Sequence, residues 1–291
     1  GAMGSNFAPM AAAVFERCIR IIDAVNVAYI SQSSMTESLP DKMFLSSSLD
    51  VISTVVGSLK DAALPLIEQS NLISVITGCM EDNDDSVRQS SFGVLGDLAQ
   101  YCYASIKGYV RQFVMLCVKY MDLEFPGVCN NTIWSLGEMV LRAGNEMAVY
   151  LEAVMPLLIS MNSQDRLPAG IKDNSTITIC RFCLVIPQAI PYIHNYFGRL
   201  CANVAKLQDG TEKEQASKGL CVALREIPDV FPNAFPKFAL MVASWSAISD
   251  MSLGQTLLDV LNSTKQSMGA NWEQYYAQHV DIRFRQIIQN N

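Results

Sequence analysis

Cys180 and Cys183, in CRFC, carry the spacing that can grip a metal ion or close a redox disulfide. A metal site of that kind takes a second such pair, or histidines at ligand spacing. The chain has two histidines, His194 and His279, and neither stands where a ligand set would need it. Cys79, Cys102, Cys117, Cys129, Cys201 and Cys221 are each embedded in apolar, helix-patterned sequence, and the total of nine cysteines is odd. Reduced thiols packed among helices, as in a protein of the cytosol or nucleus, are the expectation. Nucleophile elbows, phosphate-binding loops and dinucleotide fingerprints do not occur. Asp97 and Glu138 are two carboxylates in matching contexts, but nothing beside them in the sequence supplies a pocket or a metal. The chain is therefore expected not to be an enzyme and to need no cofactor.

What remains is recognition. VCNNTIWSLGEM, residues 128–139, sets two adjacent asparagines beside Trp134 inside a helix-patterned stretch. Asparagine is a mediocre helix former, and tryptophan is costly to leave in water. Asn130 and Trp134 are four residues apart, so in a helix they share a face. An indole offers a broad apolar plane and one N–H, and an amide offers both a donor and an acceptor. An extended peptide, whose backbone groups need partners, is the ligand such a pair suits. The plainer alternatives are that Trp134 is a core residue and that Asn131 bonds a neighbouring segment.

The elements that must carry these residues follow from length and pattern. The 291 residues are 50% hydrophobic and 17% charged, with a formal net charge of −7. That is enough apolar sequence for a large core, and the acidic balance argues against nucleic acid as a partner. GAMGS at positions 1–5 reads as a cloning remnant, leaving 6–291 as one segment of fold. No signal peptide is visible, and the longest apolar runs, such as FALMVASW at 238–245, are too short to cross a bilayer.

The sequence repeats itself. VRQSSFGVLGDL starts at Val87 and VCNNTIWSLGEM starts 41 positions later at Val128. Phe92 then matches Ile133, Leu95 matches Leu136, Gly96 matches Gly137, and Asp97 matches Glu138. A step of 43 takes Gly137 to Cys180 in DNSTITICRF, and a further 41 reaches Cys221 in EQASKGLCVAL. SLDVISTVVGSL, from Ser48, is a more diverged copy. Ahead of each copy comes another amphipathic stretch, such as YVRQFVMLCVKYM or YLEAVMPLLISM. EDNDDS at 81–86 offers acidic N-caps and a solvated turn, while NSQDRLPAG at 162–170 and QDGTEK at 208–213 read as loops between helices. A period near 40 with helical patterning is that of HEAT or armadillo repeats. The expected fold is all-α: about six to seven antiparallel helix pairs stacked as a right-handed solenoid. The repeated motif is then the second helix of each pair, on the concave side. Its small residues mark close helix approach, and Phe231, Phe235, Phe238 and Trp245 mark core between repeats.

VRQSSFGVLGDL, VCNNTIWSLGEM and NSTITICRF together resemble consecutive inner helices in the C-terminal part of the karyopherin-β nuclear import receptors, and NWEQYYAQHVDIRFR resembles that family's last helix. The resemblance is closest to the branch that reads proline-tyrosine nuclear localization signals. It implies a receptor segment that shuttles between cytoplasm and nucleus and binds the N-terminal epitope of such signals on its concave face. In the full-length receptor it implies two further partners, the GTPase Ran, mostly outside this segment, and the FG repeats of nucleoporins. Asn130 and Trp134 match peptide-contacting positions of the family, as do Asn174 and Ile177 on the next inner helix. Asp97 and Asp50 match acidic positions that meet basic residues of the signal. On this reading Trp134 and Ile177 form a shallow apolar shelf. Alternatives stay open: an ion pair between Asp97 and Arg88, Ile177 as core, and a HEAT scaffold or adaptor that docks a folded partner.

Overall fold

The computed structural model describes residues 8–31 and 38–279. GAMGS lies outside the described residues, as does the part of NWEQYYAQHVDIRFR beyond His279. The described residues are helical and contain no strand. They fall into two compact units, Gly1–Ala143 and Gly144–Asn291.

In the first unit α1 (Ala8–Ser31) is followed by α2 (Met43–Leu59). Next come the short α3 (Leu64–Glu68), α4 (Leu72–Cys79) and α5 (Asp85–Tyr101), then α6 (Tyr103–Ile106), α7 (Val110–Tyr120) and α8 (Pro126–Ala143). α2, α5 and α8 pack side by side with α5 in the middle, while α1, α4 and α7 back them in turn. The described residues of this unit are thus three helix pairs whose second helices form one layer. The second unit repeats the plan with α9 (Leu151–Asn162) and α10 (Ala169–Val185), α11 (Phe197–Val204) and α12 (Thr211–Glu226), and α13 (Phe231–Ala243) and α14 (Met251–Met268); α15 (Trp272–His279) follows. There α10, α12 and α14 form the layer, and α11 packs on α13.

Local chemistry sets where these helices begin. Asp84 is extended, and its Oδ1 accepts the Ser86 N–H at 2.9 Å, while Asp85 adds a negative charge to the first turn of α5. Asp250 caps α14 the same way, accepting from the Leu253 N–H at 3.0 Å. α8 opens on Pro126, where the missing N–H removes no intrahelical bond. The loops expected at 162–170 and 208–213 fall between α9 and α10 and between α11 and α12.

Packing explains the composition. α5 buries Val87, Phe92, Val94, Leu95, Leu98 and Ala99 on more than one side, as a helix flanked on both edges of its layer must. All nine cysteines are free and buried, and burial pushes the Cys183 thiol up to about 12. Phe231, Phe235 and Phe238 stack edge to face at 5.3–5.5 Å, and Phe235 meets Trp272 at 5.5 Å. Polar ties follow the repeat too. Asn162 donates to Ser175 Oγ at 2.9 Å and Thr176 Oγ1 at 2.8 Å, and its own Oδ1 accepts from Asn203, 41 residues on, at 3.1 Å.

Lys213 is a buried cation of the second unit. Its side chain is 1% exposed; its ammonium donates to Asp209 Oδ1 at 2.8 Å and the Ser244 carbonyl at 3.1 Å, and it lies 4.5 Å over the Trp245 ring. Asp209 in turn accepts the Ser246 N–H at 2.8 Å, which pins the α13–α14 loop. Lys213→Ala is expected to lower the unfolding free energy by about 2–3 kcal/mol, because it strands the Ser244 carbonyl and empties the space under Trp245. Chemical denaturation measures this, and Lys213→Met should recover part of the loss by keeping the alkyl stem.

Candidate functional site

The α5–α8 contact is built on absent side chains. A Cβ built on Gly96 would lie 2.0 Å from Cζ3, 2.3 Å from Cε3 and 2.7 Å from Cη2 of Trp134. The six-membered part of the indole therefore rests directly on the α5 backbone. Three residues earlier on both helices the fit is ordinary, with Asn131 Nδ2 3.5 Å from the Cβ position of Gly93, a normal van der Waals distance. From there Asn131 donates to the Gln89 carbonyl at 2.9 Å. Gly127 gives Gln89 the same room, since a Cβ there would stand 2.0 Å from Gln89 Oε1. Asn131 is thus a tie between neighbouring repeats, the plainer of its two sequence readings.

Trp134 nevertheless stays half-buried, whereas Trp245 and Trp272 are 9% and 7% exposed. Asn130, also half-buried, stands one turn before it and donates to Asn131 Oδ1 at 3.3 Å. One edge of the layer thus presents an indole and an amide together.

Asp97 continues this face on α5. Ser53 of α2 donates its hydroxyl to Asp97 Oδ2, a bond absent from the sequence reading. Burial pushes the Asp97 carboxyl up to about 6; the Ser53 bond pulls it down, and the negative charge of Glu138 pushes it up. Among the described residues Asp97 makes no ion pair. Arg88, the cation considered for it, is buried elsewhere: it donates to the Asp82 carbonyl at 2.7 Å and lies 4.6 Å over the Phe125 ring. Asp50 is exposed on α2, one turn before Ser53. Glu138, which the repeat equates with Asp97, is 3% exposed.

The first unit thus gathers Trp134, Asn130, Asp97 and Asp50 on the α2–α5–α8 layer. Asn174 and Ile177 lie on α10 of the second unit, where Asn174 is half-buried and Ile177 is 3% exposed. Ile177 is a core residue, so the apolar shelf expected of Trp134 and Ile177 is corrected: α10 turns a branched aliphatic inward there and offers no apolar surface at that position. The residues missed from sequence are Ser53, Gln89 and Gly93. The glycine pair 93 and 96, three apart like Asn131 and Trp134, was the available signal. Among the described residues no cluster of His, Cys, Asp or Glu side chains could hold a metal ion.

The Asp97 carboxyl sets a pH dependence. Unfolded, it titrates near 3.9, so between about pH 4 and about pH 6 the folded chain holds the extra proton. Its contribution to stability therefore falls as pH rises through that window, and above it the buried charge is a standing cost. Asp97→Asn should melt a few degrees higher than the unaltered chain near pH 7.5, and the two should converge toward pH 4; a kcal/mol is worth about 2–4 °C at this size. Thermal melts at both pH values check it.

No family model matches the chain. Transportin-1 of Mus musculus is 29% identical over 278 residues, which cover 94% of this chain and 31% of that protein. Importin subunit beta-2 of Schizosaccharomyces pombe is 29% identical over 252 residues, covering 84% of this chain and 28% of that protein. The chain spans less than a third of the length of these curated relatives. A crystal structure of importin beta superposes with a TM-score of 0.67 at 13% identity, over 98% of this chain and 35% of that one. That likeness is one of fold, and it agrees with the all-α repeat architecture expected from the periodicity. The 29% identity agrees with the import-receptor resemblance read from the three inner helices.

Proposed function

We propose that this chain is a segment of a transportin-like nuclear import receptor that holds an extended peptide signal across the layer of its second helices. Asn130 and Trp134 are the peptide's main contacts, through an amide for its backbone and an indole face for an apolar or alkyl side chain. Asp97 and Asp50 receive basic residues of the signal. The ligand is the N-terminal epitope of a proline-tyrosine nuclear localization signal. In the longer receptor, Ran in its GTP form and the FG repeats of nucleoporins complete the transport cycle between cytoplasm and nucleus.

One observation carries this reading. Of three tryptophans, two are sealed, and the third is held half-open beside an amide on the stretch where the chain resembles transportins. A half-open tryptophan with a neighbouring polar group is the usual chemistry of a binding hot spot. Asp97 supports it independently, as a carboxylate held by one hydroxyl and facing no cation of its own.

Titration calorimetry with a synthetic proline-tyrosine signal peptide tests the proposal. The chain alone should bind at about micromolar Kd, because a two-part signal engages it through one part only. Trp134→Ala should weaken binding at least about tenfold, while costing only about 1–2 kcal/mol of stability because the ring is not fully buried. Unchanged affinity in a folded Trp134→Ala protein would remove the site.

A further inference from the structure

We infer that Gly96 is a positioning residue for this peptide site: by lacking a side chain it lets the Trp134 indole lie down on α5, and that pose sets the affinity. The inference rests on the peptide reading above and adds a residue that touches no ligand. Its basis is the geometry of the seat. Three atoms of the six-membered ring lie within 2.7 Å of where a Gly96 Cβ would be, and real carbon atoms do not approach so closely. Any side chain at position 96 must therefore move the ring. The ring can move, because its contacting atoms are at the far end of a side chain that already reaches solvent. The backbone at Gly96 is buried in mid-helix and cannot yield as easily. An added methyl group thus tilts the indole outward, with the fold retained. A tilted ring gains rotamers that binding must then freeze.

Glycine in mid-helix is otherwise a poor choice. It weakens α5 relative to alanine, so Gly96→Ala should stabilise the helix wherever nothing stands over it. This makes the seat testable without any ligand. In the unaltered chain Gly96→Ala should lower the melting temperature by several degrees. In a Trp134→Ala background it should raise it, since the clash is gone and only the helix preference remains. Trp245 and Trp272 are nearly sealed, so acrylamide quenching reports chiefly on Trp134. Gly96→Ala should redden the emission and raise the quenching constant about twofold.

The peptide arm uses the same synthetic proline-tyrosine signal peptide and the full 291-residue chain. Gly96→Ala should weaken binding about tenfold. Trp134→Phe, whose ring lacks the outer atoms that meet Gly96, should bind with an affinity indifferent to Gly96→Ala. Melting shifts of the same sign in both backgrounds, or an unchanged emission spectrum, overturn the seat. A displaced ring with unchanged peptide affinity, in a chain where Trp134→Ala does lose affinity, overturns the positioning role and leaves the peptide site standing. Loss of no affinity in Trp134→Ala itself overturns the peptide site and this inference with it.

Discussion

The seat of the Trp134 indole on α5 at Gly96 is the constraint that couples packing to surface in the first unit. Stacked helix pairs bury their apolar faces only if second helices lie against one another, and a Cβ at the contact sets the limit of that approach. The second unit uses the same device differently. A Cβ built on Gly219 would lie 2.0 Å from the Cys180 carbonyl oxygen, so there the missing side chain admits backbone against backbone. At Gly96 the missing side chain admits an indole, and part of that indole remains at the surface. Packing and a partly open indole thus arise from one substitution pattern in the repeat.

Polar groups between helices follow a stricter rule. Asn131, Asn162 and Asn203 each send an amide to a residue of a neighbouring helix, at separations of 13–42 residues along the chain. A buried amide without a partner costs more than a satisfied one contributes, so such ties fix the register between helices more than they add stability. Asn131 shows the consequence for the site. Bonded to the Gln89 carbonyl, it fixes the rotation of α8, and with it the direction in which Asn130 and Trp134 are presented.

Repetition made the fold legible in the sequence. The matched pairs Val87 with Val128 and Gly96 with Gly137 locate α5 and α8, the EDNDDS capping signal locates the N-cap of α5 at Asp84, and Pro126 opens α8. The burial of all nine cysteines was legible from their apolar surroundings. The site was legible only in part, because a repeat places a residue on a helix without saying how far that helix is rotated. Ile177 aligns with Trp134, yet it points into the core, and an isoleucine gives no polar handle that would reveal the difference. Ser53 was invisible for another reason. A serine in the interior of an already serine-rich helix carries no signal of bonding a carboxylate 44 residues away.

The charge on Asp97 joins stability to recognition. Arg88 was near enough in sequence to neutralise it, but the fold spends that guanidinium on the Asp82 carbonyl and the Phe125 ring. Asp97 keeps a single hydroxyl donor, and burial with a like charge nearby holds its carboxyl at about 6. A carboxylate left this way is a poor contributor to folding, since desolvation disfavours its charged form. On the proposed reading, the same deficit suits it to an incoming lysine or arginine, whose charge would relieve what the fold leaves unrelieved. Fully solvated ion pairs are worth about 0–1 kcal/mol, which would limit such acids to steering. A half-buried carboxylate without an internal cation has more to gain, so on the proposed reading Asp97 would contribute affinity where the exposed Asp50 would contribute mainly attraction at a distance. On the proposed reading, raising pH through about 6 would move folding and basic-peptide binding in opposite directions at this one group: the charge that weakens the empty chain is the charge a basic ligand would need.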